Sequence, residues 1–484
     1  MKIFSLFLGK CLCVLQLLAG IALMYEFVML QLLPMAYLLA IAGVLICLVG
    51  LSVFLSWSGK RKVKMAIGVF LSIVVIISSC LGFFMLRKTR NTYKSISAGS
   101  EIVHMGIYVR SNGTSNYNTE AKNYSYGFIE NMDRESTDLV IRQMTDYFGN
   151  PPALKPYPNL PKLIDALLAG EVNAIILNRA YLEILTELDG YEDVPDCICE
   201  VELKRVEIKN EPIIQEEEAP TADADETFGI YISGIDTKGP VSVRSRSDVN
   251  ILAFVNPKTR QVLLISTPRD YFVPLSISNG IPDKLTHAGV YGINVSKNTL
   301  GMLYGVEMDY YFRINFSGFV KLIDALGGIT VNSDYSFNAD KGRYSFYKGE
   351  NELDGRAALA FCRERYTLSG GDRARGKHQM AVIQGVIKKA LSPALLQNYS
   401  AVLDSVEGCF ETTIPLKLIG KLVSSQLKDG GGWNFVTYSV DGTGDYQVPY
   451  SMSMNAYVMQ PDYATVDYAK TLIEKVYNGE ILEK

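Results

Sequence analysis

The chain has 484 residues, more than one domain usually holds, which predicts two or three structural units. Its net charge is -4, and no basic tract follows residue 94, which excludes nucleic acid as an expected partner because phosphate-backbone binding needs a basic face. With only three histidines and no GxSxG, HExxH, P-loop or GxGxxG motif, the sequence argues against a Ser-His-Asp hydrolase, a zincin and a nucleotide-binding protein.

Three apolar stretches dominate the beginning of the chain, at residues 11–30, 36–57 and 65–86. Each is close to the ~20 residues that cross a hydrocarbon core of about 30 Å, so the sequence predicts three transmembrane helices within residues 1–88. A cleaved signal peptide is the competing interpretation of the first stretch. The polar residues 89–100 that follow the third stretch predict a short stalk.

Basic residues suggest the orientation of these helices. The second and third stretches are separated by a cluster that begins at Lys60, and a second basic cluster begins at Arg87, so the two sides are nearly balanced. Residues 32–35 between the first and second stretches carry no basic side chain, which favours an external position for that loop. An odd number of spans then places the C-terminal part outside the cell.

A small accessory α/β domain is predicted at residues 98–210. Alternating apolar residues indicate a strand at 102–109, helical spacing covers 138–148 and 161–168, and an apolar run occupies 172–177. This domain fits glycan or partner binding, and it equally fits a structural spacer. The acidic, proline-containing segment 211–226 is typical of a solvated linker.

The last domain covers residues 227–484, with a core at 227–395. Strands are predicted at 228–236, 250–256 and 262–266, with a hairpin turn at 257–261. Helical patterns follow at 296–304, 319–326, 355–360 and 378–391. The predicted fold class is therefore N-terminal transmembrane helices followed by two α/β domains, the second with a mixed central sheet flanked by helices.

Charged clusters lie at or near the ends of these elements. Their members are Asp236, Arg246, Asp248, Arg269, Arg363, Arg365, Asp372, Arg375 and Gln379. Arg363 and Arg365 share one face if the chain is extended there, and the last three residues share one face of a helix. Arginine's planar fork of donors suits phosphate oxygens, so converging arginines predict a pyrophosphate site. Each cluster alone also fits a surface ion pair or a turn.

Two carboxylates beside a phosphate site are a common means of holding Mg²⁺, which predicts this role for Asp236 and Asp248. His287 is either a structural hydrogen-bonding residue or a catalytic base. Cys362 and Cys409 are either a disulfide of an oxidising compartment or isolated buried thiols.

In order and spacing, the motifs of residues 227–395 resemble the LytR-CpsA-Psr family of cell-wall glycopolymer ligases. The motifs are a strand ending in Gly-x-Asp, then Arg-Ser-Asp, Pro-Arg-Asp, Lys-x-x-His-Ala, Asp-Tyr-Tyr, Asp-Ala-Leu-Gly-Gly, Arg-x-Arg and Asp-x-x-Arg-x-x-x-Gln. The three spans and the accessory domain resemble the capsule-associated streptococcal CpsA-like branch. Gly-Ile-Asp in place of the commoner Gly-Ser-Asp, Cys362 and His378 depart from the family pattern without removing a charged group.

The resemblance implies the fold of that family and a Mg²⁺-dependent enzyme, with Mn²⁺ as an alternative, at the outer face of a Gram-positive plasma membrane. Such an enzyme transfers a glycopolymer, here expected to be capsular polysaccharide, from an undecaprenyl-pyrophosphate carrier to peptidoglycan. Other capsule-assembly membrane proteins are further expected partners. The implied roles are metal binding by Asp236 and Asp248, pyrophosphate binding by Arg246, Arg269, Arg363, Arg365, Arg375 and Gln379, and catalysis by Arg269, Arg246 and Asp372. Asp372 is then a base or orients the arginines.

Two other functions remain open. The same residues would serve a polyprenyl-pyrophosphate-sugar pyrophosphatase that transfers to water. A non-enzymatic regulator or attenuator of capsule synthesis would instead sense a lipid-linked sugar. The apolar stretches 302–304 and 319–323 either line a polyprenyl pocket or belong to the ordinary core.

Overall fold

The computed structural model describes residues 2–31, 33–57, 62–97, 100–112, 117–209, 226–237, 239–365, 371–392, 402 and 406–483. It begins with the helices α1 (Lys2–Leu30), α2 (Met35–Trp57) and α3 (Lys62–Ile96). Each is long and apolar enough to cross a membrane. Most of the segment predicted as a stalk is helical, because α3 continues without a break through Ile96. Lys60 and the segment 211–225 lie outside the described residues.

The accessory domain is built on one five-stranded sheet. Its strands are β1 (Ser100–Arg110), β2 (Ser125–Ile129), β3 (Ala153–Tyr157), β4 (Ala174–Asn178) and β5 (Ile198–Lys209), and its helices are α4 (Tyr117–Glu120), α5 (Arg134–Phe148), α6 (Leu160–Ala169), α7 (Ala180–Leu185) and α8 (Val194–Cys197). The strand order is β3-β2-β4-β1-β5. β2 runs parallel to β3 and β4, whereas β1 runs antiparallel to β4 and β5.

The last domain contains a larger mixed sheet and several hairpins. Its strands are β6 (Phe228–Ile235), β7 (Ser247–Asn256), β8 (Gln261–Thr267), β9 (Phe272–Pro274), β10 (Pro282–Lys284), β11 (Tyr310–Asn315), β12 (Ile329–Ser333), β13 (Phe337–Ala339), β14 (Tyr344–Phe346), β15 (Gly349–Leu353), β16 (Phe410–Thr412), β17 (Asn434–Ser439), β18 (Gly442–Gln447) and β19 (Ala456–Pro461). Its helices are α9 (Ala288–Tyr291), α10 (Ile293–Tyr304), α11 (Phe316–Ala325), α12 (Gly355–Arg363), α13 (Gly371–Ala390), α14 (Leu416–Asp429) and α15 (Tyr463–Tyr477).

The central sheet has the strand order β16-β11-β6-β7-β8-β17. β11 is parallel to β6 and β17 is parallel to β8, and the other pairs are antiparallel. β7 and β8 are almost wholly buried, as expected for strands covered on both faces. One face packs on α10 and α15, and the other on α13 and α14. The predicted fold class is confirmed.

The accessory and central sheets are joined by a buried ion-pair cluster. Glu101 of β1 accepts hydrogen bonds from Arg244 and from Arg313 of β11, and Arg313 also pairs with Glu411 of β16. The side chains of Glu101 and Arg313 are 1% and 2% exposed. The backbones of Ile102 and Arg244 are paired as well. The accessory domain is therefore packed rigidly on the segment that leads into β7.

The membrane helices contact the central domain near β16 and α14. Leu30 at the end of α1, Tyr93 near the end of α3 and Leu416 form one apolar cluster. The hydroxyl of Tyr93 also donates to the carbonyl of Ile414. The ends of α1 and α3 thus pack directly on the domain that carries the charged clusters.

Candidate functional site

A cavity of about 490 Å³ lies between one face of the central sheet and helices α11, α12 and α13. Side chains alternate across a strand, so every second residue of β6 and β7 points into it. Ile230, Ile232 and Gly234 line it from β6, and Val249, Ala253 and Val255 from β7. Five arginines and two aspartates also line it, so the cavity combines an apolar wall with a group of charges.

The strand directions explain why the charges meet. β6 and β8 both run antiparallel to β7, so the residues that follow β6 and β8 lie at the same edge as the beginning of β7. Asp236 follows β6, Arg246 and Asp248 lie at the start of β7, and Arg269 follows β8. These side chains line the cavity at that edge.

The remaining charged residues of the cavity lie at the end of α12 and near the beginning of α13. Asp354 caps α12 by accepting from the amide of Ala357 at 2.8 Å, an arrangement that fixes the start of a helix. That helix ends at Arg363, whose guanidinium lies 4.7 Å from the ring centre of Phe316, a distance that favours a cation–π contact. Arg363 and Arg365 both line the cavity.

The beginning of α13 brings Arg375 and Gln379 to the cavity, one helical turn apart. A side chain at Gly376 would come within 2.5 Å of the Ser266 hydroxyl, so glycine allows this turn to lie against β8. Asp372 lies in the same helix, and its side chain falls outside the described atoms. The cavity therefore collects eight of the nine residues predicted from the sequence.

One prediction about local structure was wrong. The shared face of Arg363 and Arg365 assumed an extended chain, but Arg363 is the last residue of α12, and the extended backbone begins at Glu364. The two arginines reach the cavity because the chain leaves the helix there.

Arg269 occupies a central place among the charges. Its Nη1 donates to Oδ1 of Asp248 at 2.8 Å, and its Nε lies 3.7 Å from Oδ2 of Asp270. Burial alone would lower the pKa of Arg269, but the charges of Asp248 and Asp270 keep it above the ordinary value. Burial alone would likewise raise the pKa of Asp270, whereas Lys284 and Arg269 hold it below the ordinary value. Arg269 and Asp270 are therefore charged at neutral pH.

Asp236 and Asp248, the two residues predicted to hold a divalent cation, both line the cavity. Mg²⁺ is commonly held by one or two carboxylates together with waters and phosphate oxygens, so this donor set fits it. Within the described part of the chain, no group of three or more His, Cys, Asp or Glu side chains is arranged to hold a metal ion. A cation here would thus depend on additional oxygens from a substrate and water.

The apolar wall extends along helices α11 and α13. Phe319 and Leu322 line the cavity, which favours the pocket interpretation for part of 319–323, whereas Ile323 belongs to the core. The stretch 302–304 does not line the cavity: Met302 is 59% exposed and Tyr304 is buried in another core cluster.

The two histidines of this domain lie outside the cavity lining. His287 is fully buried, with Nδ1 2.7 Å from Asp283 and 2.9 Å from Ser451, which favours its structural interpretation. His378 stacks on Phe361 at a ring distance of 4.2 Å, and burial lowers its pKa. His378 is therefore a packing residue on the far side of α13.

The cysteines of the domain are thiols. Cys362 and Cys409 are both buried and free, as the isolated-thiol interpretation expected. Cys362 lines the cavity, and burial raises its pKa to about 12, so it is a protonated thiol and a poor nucleophile at neutral pH.

Two residues at the site were not predicted from the sequence. Glu183 and Glu187 of the accessory domain pair with Arg246. Burial raises the pKa of Glu183 most, Arg246 opposes this, and the charges of Asp236 and Asp248 raise it further. No motif marks these glutamates, and only the packing of the two domains reveals them.

The sequence and structure of this chain are similar to those of known proteins. The LytR_cpsA_psr family model matches residues 198–471. A polyisoprenyl-teichoic acid–peptidoglycan teichoic acid transferase, TagU of Enterococcus faecalis, is 36% identical over 191 residues, which cover 39% of this chain and 62% of that protein. The TagU of Halalkalibacterium halodurans is 31% identical over 223 residues, which cover 46% of this chain and 71% of that protein.

Among solved structures, the crystal structure of Bacillus subtilis TagV is 26% identical, with a TM-score of 0.44, and covers 53% of this chain and 99% of that one. The family model spans more than half of the residues and includes every site residue that was predicted from the sequence, whereas Glu183 and Glu187 precede the matched range. This chain therefore belongs to the LytR-CpsA-Psr family.

Proposed function

We propose that this protein is a membrane-anchored transferase that moves a glycopolymer from a polyprenyl-pyrophosphate carrier to peptidoglycan. The observation that supports this most is the division of one cavity into a charged edge and an apolar wall. A polyprenyl pyrophosphate has the same division. The arginines match the phosphates, and the wall matches the lipid chain.

The names of the curated relatives support the same reaction class, since they include a polyisoprenyl carrier and peptidoglycan. The aligned region covers only 39% of this chain and 62% of the first of these relatives, so the activity itself is our proposal. The membrane helices and most of the accessory domain lie outside the family match. We propose capsular polysaccharide as the polymer, because these additional parts resemble the capsule-associated branch.

The residues of the cavity suggest a division of work. Arg246, Arg269, Arg363, Arg365, Arg375 and Gln379 would bind the pyrophosphate and stabilise the charge that develops when its bond to the sugar breaks. Asp236 and Asp248 would hold Mg²⁺ or Mn²⁺, and such an ion would neutralise charge on the leaving pyrophosphate. Asp372 would accept the proton of the acceptor hydroxyl or orient the arginines. The membrane helices would place this site at the outer face of a Gram-positive membrane, beside the lipid carrier, the peptidoglycan and other capsule-assembly membrane proteins.

The test uses the full-length protein in lipid vesicles with an undecaprenyl-pyrophosphate-linked oligosaccharide and peptidoglycan fragments, with Mg²⁺, with Mn²⁺ or with EDTA. We expect a sugar–peptidoglycan conjugate that depends on the metal. Release of the free polyprenyl carrier, as its phosphate or its pyrophosphate, without a conjugate would replace the transferase with a hydrolase. A protein that binds the lipid but never turns it over would instead be a regulator.

The apolar wall of the cavity leads to a further prediction about binding of the lipid chain. Ile383 and Ile387 line the cavity one turn apart on α13, and replacing Ile387 with Gln removes apolar surface from the lipid's environment. Burying an isoleucine contributes about 1.5–3 kcal/mol, so KM for an undecaprenyl substrate should rise about tenfold. KM for a substrate with two isoprene units should change little, and Ile387→Leu should behave like the wild type. Equal effects of Ile387→Gln on both substrates would exclude this wall as the lipid site.

A further inference from the structure

The charged edge of the cavity continues into the accessory domain. Glu183 lies in α7, and Glu187 lies in the turn that follows this helix. Nε of Arg246 donates to Oε2 of Glu183 at 3.1 Å, and Nη1 donates to Oε1 of Glu187. Because Arg246 also lines the cavity, one guanidinium connects the accessory domain with the candidate pyrophosphate site.

Glu187 extends this connection to the other side of the site. Its second oxygen accepts from Nζ of Lys284, which also lies 3.1 Å from Oδ1 of Asp270. Asp270 is close to Arg269, and Arg269 pairs with Asp248. Opposite charges thus alternate without a break from Glu183 through Arg246, Glu187, Lys284, Asp270 and Arg269 to Asp248. We refer to these seven residues as the charge chain.

The charge chain is held in place by its surroundings. The side chain of Lys284 is 5% exposed, that of Arg246 17% and that of Glu187 22%. Burial alone would raise the pKa of Glu187, but Lys284 and its neighbours hold it below the ordinary value, so the carboxylate is charged. The backbone pairing between Ile102 and Arg244 fixes the segment before Arg246 on the same domain. Arg246 therefore has a defined orientation before any substrate binds.

The two glutamates do not exhaust the donors of Arg246. A guanidinium carries five N–H groups, and the glutamates accept from one group on Nε and one on Nη1. A pyrophosphate in the cavity can therefore be bound by the same arginine that the accessory domain orients. Orientation is valuable here, because a displacement of about 1 Å in a reacting group can cost ~10²-fold in rate.

We propose that Glu183 and Glu187 are positioning residues for the transfer reaction, so that the accessory domain is a structural part of the active site and not a spacer. This inference rests on the proposed function. Glu183 acts through Arg246, and Glu187 acts through both Arg246 and Lys284. Their carboxylates do not touch the reacting atoms.

The test compares Glu183→Gln and Glu187→Gln in the full-length protein, with the lipid-linked oligosaccharide and peptidoglycan fragments described above. Glu171→Gln is the matched control, because Glu171 is in the same domain and forms an exposed ion pair with Lys155. We expect kcat/KM to fall about 10- to 100-fold in Glu187→Gln, several-fold in Glu183→Gln and not in the control. The melting temperature of each variant separates misfolding from loss of positioning, and we expect little change in it for Glu183→Gln, because Glu183 is half-exposed.

A double-mutant cycle identifies the route of the effect. In an Arg246→Ala background, adding Glu183→Gln should change kcat/KM by less than about twofold, because the partner is already missing. Three results would overturn the inference. The losses in the double mutant could be additive, or the glutamate variants could keep the full activity of an active wild type. The glutamate variants could also show a higher kcat/KM, because Arg246 is then free to bind the substrate. A wild type that forms no conjugate would overturn the proposed function and this inference with it.

Discussion

Replacing Arg269 with Ala should lower kcat/KM for polymer transfer by about 10²–10³-fold, the loss expected when one preorganised donor to a developing negative charge is removed. The guanidinium lines the cavity and is 2.8 Å from Asp248. Its removal takes away a proposed phosphate donor and leaves the Asp248 carboxylate without this partner. The measurement is the initial rate of conjugate formation as a function of lipid substrate concentration.

Two further variants make this prediction specific. Arg269→Lys keeps the positive charge but not the planar fork, so its rate should lie between those of the wild type and Arg269→Ala. Arg343→Ala is the control, because Arg343 is 66% exposed and pairs only loosely with Asp340 at 4.0 Å. An Arg269→Ala protein with more than half of the wild-type kcat/KM would remove Arg269 from the site.

Replacing Glu101 with Ala should destabilise the protein by about 3–5 kcal/mol, because the substitution leaves the buried cluster of Arg244, Arg313 and Glu411 with one positive charge in excess. Arg313 is 2% exposed and is held between Glu101 and Glu411. Arginine does not lose its proton in proteins, so Arg313 cannot escape this cost by becoming neutral. In the detergent-solubilised protein, the melting temperature should fall by roughly 10 °C.

Glu171→Ala is the matched comparison for this stability measurement. Its ion pair with Lys155 is exposed, and exposed pairs contribute about 0–1 kcal/mol. Equal melting temperatures for the two variants would mean that the Glu101 cluster does not hold the domains together.

Much of the candidate site could be predicted because its charges occur in short motifs at the ends of apolar strands. Arg246 and Asp248, for example, directly precede or begin a strand whose apolar run is plain in the sequence. Antiparallel pairing then brings neighbouring strand ends to one edge, where Asp236 and Arg269 also lie. Local sequence and simple topology were sufficient for these positions.

The remaining features depend on contacts between distant parts of the chain. Glu183 and Glu187 lie in a helical segment with no recognisable motif, and their role follows only from the docking of two domains. The same is true of Glu101, which accepts a hydrogen bond from the backbone amide of Ile293, 192 residues further along the chain. The end of α12 at Arg363 was missed because the boundary of an element is set by capping and packing more than by apolar spacing.

The continuous third helix has a mechanical consequence. Its 35 residues extend over roughly 50 Å at the rise of an α-helix, well beyond the ~30 Å of a hydrocarbon core. Tyr93 and Leu30 hold the last turns of α3 and α1 against the central domain. The helix bundle therefore supports this domain directly, without a flexible linker. Under the proposed function, the height of the site above the bilayer would be fixed, and acceptor glycan strands would have to come to within that height to be modified.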